Sequence, residues 1–383
     1  MRKASPSFQI DCSFPGGNIV INRIQHDRIE LSQDLRDTKG WWFYWCFRVR
    51  GAGGRTLTFD FTDRKVIGVR GPAVSRDQGQ TWQWLGADHV KGSGFSYAFS
   101  DDEDDLRFSF GMPYQESHLN AFLDRFTNHP LLRVDVLCTT RQRRAVERLH
   151  FGCLQSGPAF RAVLVCRHHC CEMMASYELE GIIEEVLSDS EAGRWLASHV
   201  EFLAIPFMDK DGVEAGDQGK NRKPHDHARD YGETSIYPSV AALREFIPAW
   251  LAGNRTVALD LHCPGPFGEF HEVILCPSRL RNEKNWKQTM PFLEALETTQ
   301  QGPLVFRTAD SIRFTTWDGK PPEPSPPTFS AWIQSLPGVC FGAALELPYA
   351  NAGGGEVNQS TARAFGHDLA RALCFYLRER TDS

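Results

Sequence analysis

The hydrophobic period of this chain changes once, near residue 116, and that change limits the fold more than any other feature. Before it, the segments 8–14, 18–24, 27–34, 41–51, 55–63, 80–87, 94–100 and 105–112 are short and mostly alternating or aromatic-rich, with Gly, Asp, Asn or Ser between them. Short strands at that spacing predict an all-β sandwich. Five of the ten tryptophans (Trp41, Trp42, Trp45, Trp82, Trp84) fall here. Bulky aromatics dominate core packing, so they are expected to fill a two-sheet core rather than line a carbohydrate-binding face. After residue 116, helical periods at 118–126, 174–188, 239–252, 286–299 and 360–380 alternate with apolar strands at 131–140, 145–152, 159–169, 201–208, 256–263 and 340–350. That alternation predicts an α/β domain with a mixed, mostly covered sheet. The expected organisation is a β-sandwich domain over 1–115 and an α/β catalytic domain over 116–383. Residues 208–236 and the proline-rich 320–327 read as loops.

With 383 residues, 41% of them hydrophobic, the chain can bury a large core. A formal charge of −6 argues against a polybasic nucleic-acid binder. No apolar run reaches the roughly 18 residues of a membrane helix, and no apolar stretch follows the N-terminal basic pair, so neither a membrane span nor a signal peptide is expected. Eleven cysteines, an odd number with Cys170 and Cys171 adjacent, predict free thiols and a cytoplasmic setting.

The segment VLVCRHHCCEMMASYELEG carries the chemistry. His169 and Glu172 form an H-x-x-E pair beyond a strand and at the mouth of a helix. His262 ends another apolar strand, 90 residues after Glu172. Two imidazoles and a carboxylate are a common catalytic zinc set that leaves one position for water. His168 reads as a polar wall residue, with the neighbouring register as a ligand left open. His225 and His227 read as loop residues near the site.

The motif order resembles that of carboxypeptidase A-type zinc metallocarboxypeptidases. It runs Arg167-x-His169-x-x-Glu172, Asp211-Gly212 after Pro206, Asn221 through Asp226-x-x-Arg229, Asp260-x-His262, then a late strand ending in Leu345-Glu346. The aromatic region before it, including WWFYWCFRV, is similar to the cytosolic carboxypeptidase branch. The resemblance implies hydrolysis of the C-terminal bond of a peptide or protein. It makes His169, Glu172 and His262 the zinc ligands and Glu346 the general base. Arg229 would grip the terminal carboxylate, and Asp226 would orient the first zinc histidine.

The chain departs from that pattern in four places. Ala228 stands where Asn usually precedes the arginine. Gap-free alignment puts Gly219 at the arginine that polarises the scissile carbonyl, leaving Lys220 or Arg222 for that role. No tyrosine lies between Tyr237 and Tyr349, where the family carries one. Cys170-Cys171 replaces Pro-Gly. These departures keep two other readings in view: a zinc amidase or deacylase of small N-acyl amino acids, and a peptide-binding protein with a degenerate site.

Overall fold

The computed structural model describes residues 8–63, 66–155, 157–266, 271–277, 283–316 and 327–381. The first part forms two five-stranded sheets. One is antiparallel throughout, in the order Gln9–Asp11, Cys46–Arg50, Asp105–Ser109, Ala73–Ser75, Gln83–Trp84. The other runs Val20–Gln25, Arg28–Ser32, Thr56–Phe61, Gly94–Ala98, Val90–Lys91, with its second and third strands parallel. Their alternating aromatics meet between the sheets. Phe59 lies 5.2 Å from Phe47 and 5.6 Å from Phe108 between ring centroids, and Trp45 lies 4.7 Å from Phe61. Trp45 and Trp82 are buried as core aromatics, whereas Trp41 stays exposed.

The second part is built on a six-stranded mixed sheet. Its order is Leu132–Thr139, Ala145–Gly152, Val200–Ile205, Phe160–Cys166, Thr256–His262, Val339–Glu346. The last four are parallel, and the first two pair antiparallel at one edge. The strand Thr256–His262 is buried along its whole length, as expected of a strand covered on both faces. Helices Met174–Val186 and Gln359–Arg378 pack together through a glycine crossing. A Cβ on Gly181 would meet the Arg363 carbonyl oxygen at 2.0 Å, and one on Gly366 would meet that of Glu178 at 2.1 Å. The helices approach this closely because neither glycine carries a side chain.

The stretch 208–236, expected to be loop throughout, contains the helix Lys210–Ala215 and the short 3-10 turn His227–Arg229. Asp209 starts that helix by accepting the Gly212 N–H at 3.0 Å. Capping thus makes a helix too short for its period to show. The proline-rich stretch lies outside the described residues except for its last proline, Pro327. All eleven cysteines are free. Among the described residues, no helix is long and apolar enough to cross a membrane.

Candidate metal centre

Parallel strands bring their C-terminal ends to one edge, and the chemistry collects there. His169 and Glu172 follow the strand Phe160–Cys166, and His262 ends its neighbour Thr256–His262. The turn carrying the H-x-x-E pair is fixed from below. Arg167 takes a left-handed backbone conformation, φ 60°, which swings the chain out of the sheet. Its buried guanidinium donates to the Cys170 carbonyl at 3.1 Å, the Tyr114 carbonyl at 3.1 Å and Ser176 Oγ at 3.0 Å.

Glu172 is fully buried between the two histidines. Its Oε1 lies 3.0 Å from His169 Nδ1 and its Oε2 lies 2.7 Å from His262 Nδ1. Each imidazole turns its other nitrogen to a further carboxylate. His169 Nε2 faces Asp226 Oδ1 at 3.7 Å, and His262 Nε2 faces Asp260 Oδ1 at 2.9 Å. Burial alone would raise the Glu172 carboxyl, but His169, Lys220 and His262 hold it well below the usual carboxylate range. Burial alone would lower His262, and Asp260 and Glu172 raise it well above the ordinary imidazole range.

This donor set fits a divalent metal. Two inward Nδ1 atoms and a buried carboxylate converge, and both outer nitrogens face carboxylates, as metal-bound histidines usually do. His168, Asp260 and His262 form a second convergent group. Both ring nitrogens of His168 are already engaged, Nδ1 by Asp260 at 2.7 Å and Nε2 by the Tyr231 hydroxyl at 2.7 Å.

Glu346 stands directly across from His262 in parallel register. Its backbone is pinned by exchanging hydrogen bonds with Leu275, at 2.7 and 3.1 Å. Burial, with Glu172 beside it, pushes the Glu346 carboxyl up, against the pull of His262, Lys220 and His169.

The two candidate cations for the missing arginine occupy different places. Lys220 Nζ sits 2.6 Å from Glu172 Oε1 and 5.3 Å from the centre of the Trp42 ring. Arg222 is held by three carboxylates instead, Asp209 at 2.6 Å and Asp37 and Asp217 at 3.0 Å each. An arginine could not stand at Gly219, whose φ is +73°. A Cβ there would lie 2.4 Å from the Cys170 backbone nitrogen. Arg229 ends the 3-10 turn three residues after Asp226 and is half-buried. Of the loop histidines, His225 pairs with Asp230 at 2.7 Å, and His227 stacks on Tyr237 at 3.6 Å.

Four residues around the site had no role there assigned from the sequence. Trp42 donates its indole N–H to Cys171 Sγ at 3.3 Å. Asp37 accepts the backbone N–H groups of Gln218 and Gly219 at 2.9 and 2.8 Å, fixing the loop that carries Lys220. Neither segment carries a motif that links it to the site. Asp260 is two residues before His262 on one strand, so period-two alternation already placed both on one face. Tyr231 had no such signal.

No family model matches the chain. It is 21% identical over 282 residues to cytosolic carboxypeptidase 6 of Caenorhabditis elegans, covering 66% of this chain and 61% of that protein. It is 29% identical over 181 residues to mouse cytosolic carboxypeptidase 3, covering 44% of this chain and 18% of the relative. The chain therefore spans about three-fifths of the first relative and under a fifth of the second. A metallo-carboxypeptidase from Burkholderia cenocepacia superposes with a TM-score of 0.78 at 20% identity, over 98% of this chain and 100% of that one. A metallo-carboxypeptidase from Pseudomonas aeruginosa, solved with (2-guanidinoethylmercapto)succinic acid, gives 0.76 at 19% identity, over 97% and 99%. At such identities the likeness to solved structures speaks for the fold. In fold the chain is similar to these metallo-carboxypeptidases, and in sequence it is similar to the cytosolic carboxypeptidases.

Proposed function

We propose that the chain is a zinc-dependent carboxypeptidase of the cytoplasm that removes a residue from the C-terminus of a peptide or protein. The observation that carries this reading is Glu172 held between His169 Nδ1 and His262 Nδ1, with Glu346 in register beside His262. A zinc ion held by His169, Glu172 and His262 would supply an acidified water and a polarised carbonyl.

This chain's own residues do the rest. Glu346 takes a proton from the attacking water and hands it to the leaving amine, a role for which a raised carboxyl is suited. Arg229 grips the substrate's terminal carboxylate, because a guanidinium binds a carboxylate through two parallel hydrogen bonds and keeps its charge. Lys220 donates to the scissile carbonyl oxygen as negative charge builds there. Its distance to Glu172 supports Lys220 over Arg222, whose guanidinium is committed to Asp37, Asp209 and Asp217. Asp226 orients His169 through the outer ring nitrogen. We also propose that the two N-terminal sheets form a sandwich ending near residue 115.

The test is a panel of C-terminally varied peptides beside N-acyl amino acids, run on zinc-loaded protein and on Glu346→Gln. Release of single C-terminal amino acids, lost in the variant, is the expected result. Cleavage of N-acyl amino acids alone would make the chain a deacylase. No hydrolysis of either by zinc-loaded protein would leave a peptide-binding protein.

A further inference from the structure

A buried chain of four side chains runs outward from the candidate metal centre. His262 Nε2 faces Asp260 Oδ1 at 2.9 Å, the same oxygen faces His168 Nδ1 at 2.7 Å, and His168 Nε2 faces the Tyr231 hydroxyl at 2.7 Å. All four are nearly closed to water: Tyr231 is 2% exposed, His168 0%, Asp260 2% and His262 5%. The His168 and His262 rings lie 12° from parallel, 5.8 Å between centroids. Phe329 closes the outer side, 6.1 Å from His168 and 5.7 Å from Tyr231.

The proton positions in this chain follow from one end. Asp260 Oδ1 has an imidazole nitrogen at 2.7 Å on one side and another at 2.9 Å on the other, so it serves as the shared acceptor and both of those nitrogens carry hydrogen. His168 therefore uses Nδ1–H toward Asp260. Its Nε2 is left to accept, and the Tyr231 hydroxyl faces it at 2.7 Å. Tyr231 donates, which stops His168 from turning over or changing tautomer. His262 is thereby fixed with Nε2–H toward Asp260, and Nδ1, 2.7 Å from Glu172 Oε2, is the nitrogen that would give up its proton to a metal. A metal takes an imidazole only through a nitrogen that can give up its proton. The four-membered chain presents that nitrogen and blocks the wrong one.

We propose that His168 and Tyr231 are positioning residues that lock the tautomer and ring orientation of His262 through Asp260, and so set the affinity of the metal centre. The inference rests on the zinc reading above. It also assigns His168 against the alternative that His168, Asp260 and His262 hold a second ion. That arrangement would have to displace the Tyr231–His168–Asp260 bonds. It would also have to draw on the His262 nitrogen that already faces Asp260.

The experiment measures zinc affinity and stoichiometry, by competition with a chromophoric chelator, on the full chain and on His168→Phe, His168→Gln and Tyr231→Phe. Cobalt(II) absorption is recorded on each as an index of ligand geometry. His168→Phe severs the lock and is expected to weaken zinc about 10- to 100-fold, as loss of an outer partner of a metal histidine does. His168→Gln keeps a donor toward Asp260 and should recover part of that loss. Tyr231→Phe removes only the distal bond and should cost less than His168→Phe. The cobalt band should shift in His168→Phe while near-ultraviolet dichroism stays native. Unchanged affinity and an unchanged cobalt band in a folded His168→Phe protein would overturn the proposal. Two zinc ions per parent chain, falling to one in His168→Phe, would overturn it in favour of His168 as a ligand. No zinc on the parent protein would overturn the zinc reading itself. Should His168→Phe fail to fold, the Tyr231→Phe and His168→Gln affinities decide, and parent-like values in both would overturn it.

Discussion

At the scale of single residues, the two neighbouring cations Lys220 and Arg222 separate the proposed catalytic role from a structural one. Lys220 reaches Glu172, and Arg222 reaches Asp37, Asp209 and Asp217. Lys220→Met keeps the stem and removes the charge. It is expected to cut kcat about 100- to 1000-fold, the usual cost of one donor to a developing oxyanion, with a smaller change in KM. Arg222→Met takes the shared guanidinium from three carboxylates, of which Asp209 is almost closed to water while Asp217 keeps Arg36 at 2.8 Å. Unpairing a buried charge costs about 3–5 kcal/mol, so a drop in thermal midpoint is expected before any change in kinetics. A denaturant titration beside steady-state kinetics on both variants reads the difference. The convergence of His169, Glu172 and His262 was legible in the sequence because strand ends announce themselves. An apolar run followed by His, or by H-x-x-E, can only project those groups at a sheet edge. Asp37, Trp42 and Tyr231 were not legible, since each reaches the site from a segment with no local pattern pointing there. Gly219 was legible as a departure but not as a cause. The close approach of Cys170 to its missing Cβ is a tertiary fact.

At the scale of elements, the helix pair Met174–Val186 and Gln359–Arg378 offers two tests. The first is steric. In an exposed helix Gly→Ala gains about 1 kcal/mol. Here the new methyl of Gly181→Ala meets a backbone oxygen at 2.0 Å, which cannot move aside as a side chain could. Overpacking costs of about 1–3 kcal/mol or more therefore win, and Gly181→Ala should destabilise in a urea titration. The second is electrostatic. His367 on the late helix bridges Glu184 at 3.2 Å and Glu185 at 2.9 Å on the early one. These two carboxylates raise His367 from 6.5 to about 9. Glu185, which burial alone would raise, is brought down from 4.5 to about 2 by His367, Ser190 and Arg371. The His367 contribution is full below pH 6.5 and is lost as pH rises through about 9. The Glu185 contribution is full above 4.5 and is lost as pH falls through about 2. The helix pair is therefore tightest between these limits. Partial exposure of the ring reduces the His367 share to about 1–2 kcal/mol. His367→Ala should remove that amount at pH 6 and flatten the decline in thermal midpoint between pH 7 and 9. Long periodic elements were legible almost to the residue: 145–152 was expected as a strand and is one. Short elements such as Lys210–Ala215, Phe329–Ile333 and Ala73–Ser75 were not. Two to six residues are too few to express a period, and caps or sheet partners decide them.

At the scale of the whole molecule, one hydrophobic cluster runs from the aromatic sheets into the α/β part. Phe43 lies 5.3 Å from Tyr349, three residues beyond Glu346, and Trp42 reaches both Cys171 and Lys220. The segment leading into the strand Cys46–Arg50 thus forms part of the wall around the candidate centre. The change of period at residue 116 told of two kinds of structure but not of this shared core, because contacts between distant segments leave no period in either. Metal binding should register across the molecule as well. A ligand held only by the folded state at 100 times its Kd adds about 2.7 kcal/mol, so chelation should lower the thermal midpoint and zinc should restore it. The most direct test is the metal content of protein purified without chelator, measured by elemental analysis beside His169→Ala. About one zinc per chain in the parent, lost in the variant, is the result this account predicts. A parent protein that holds no zinc even after reconstitution, or a His169→Ala protein that keeps it, would contradict the account.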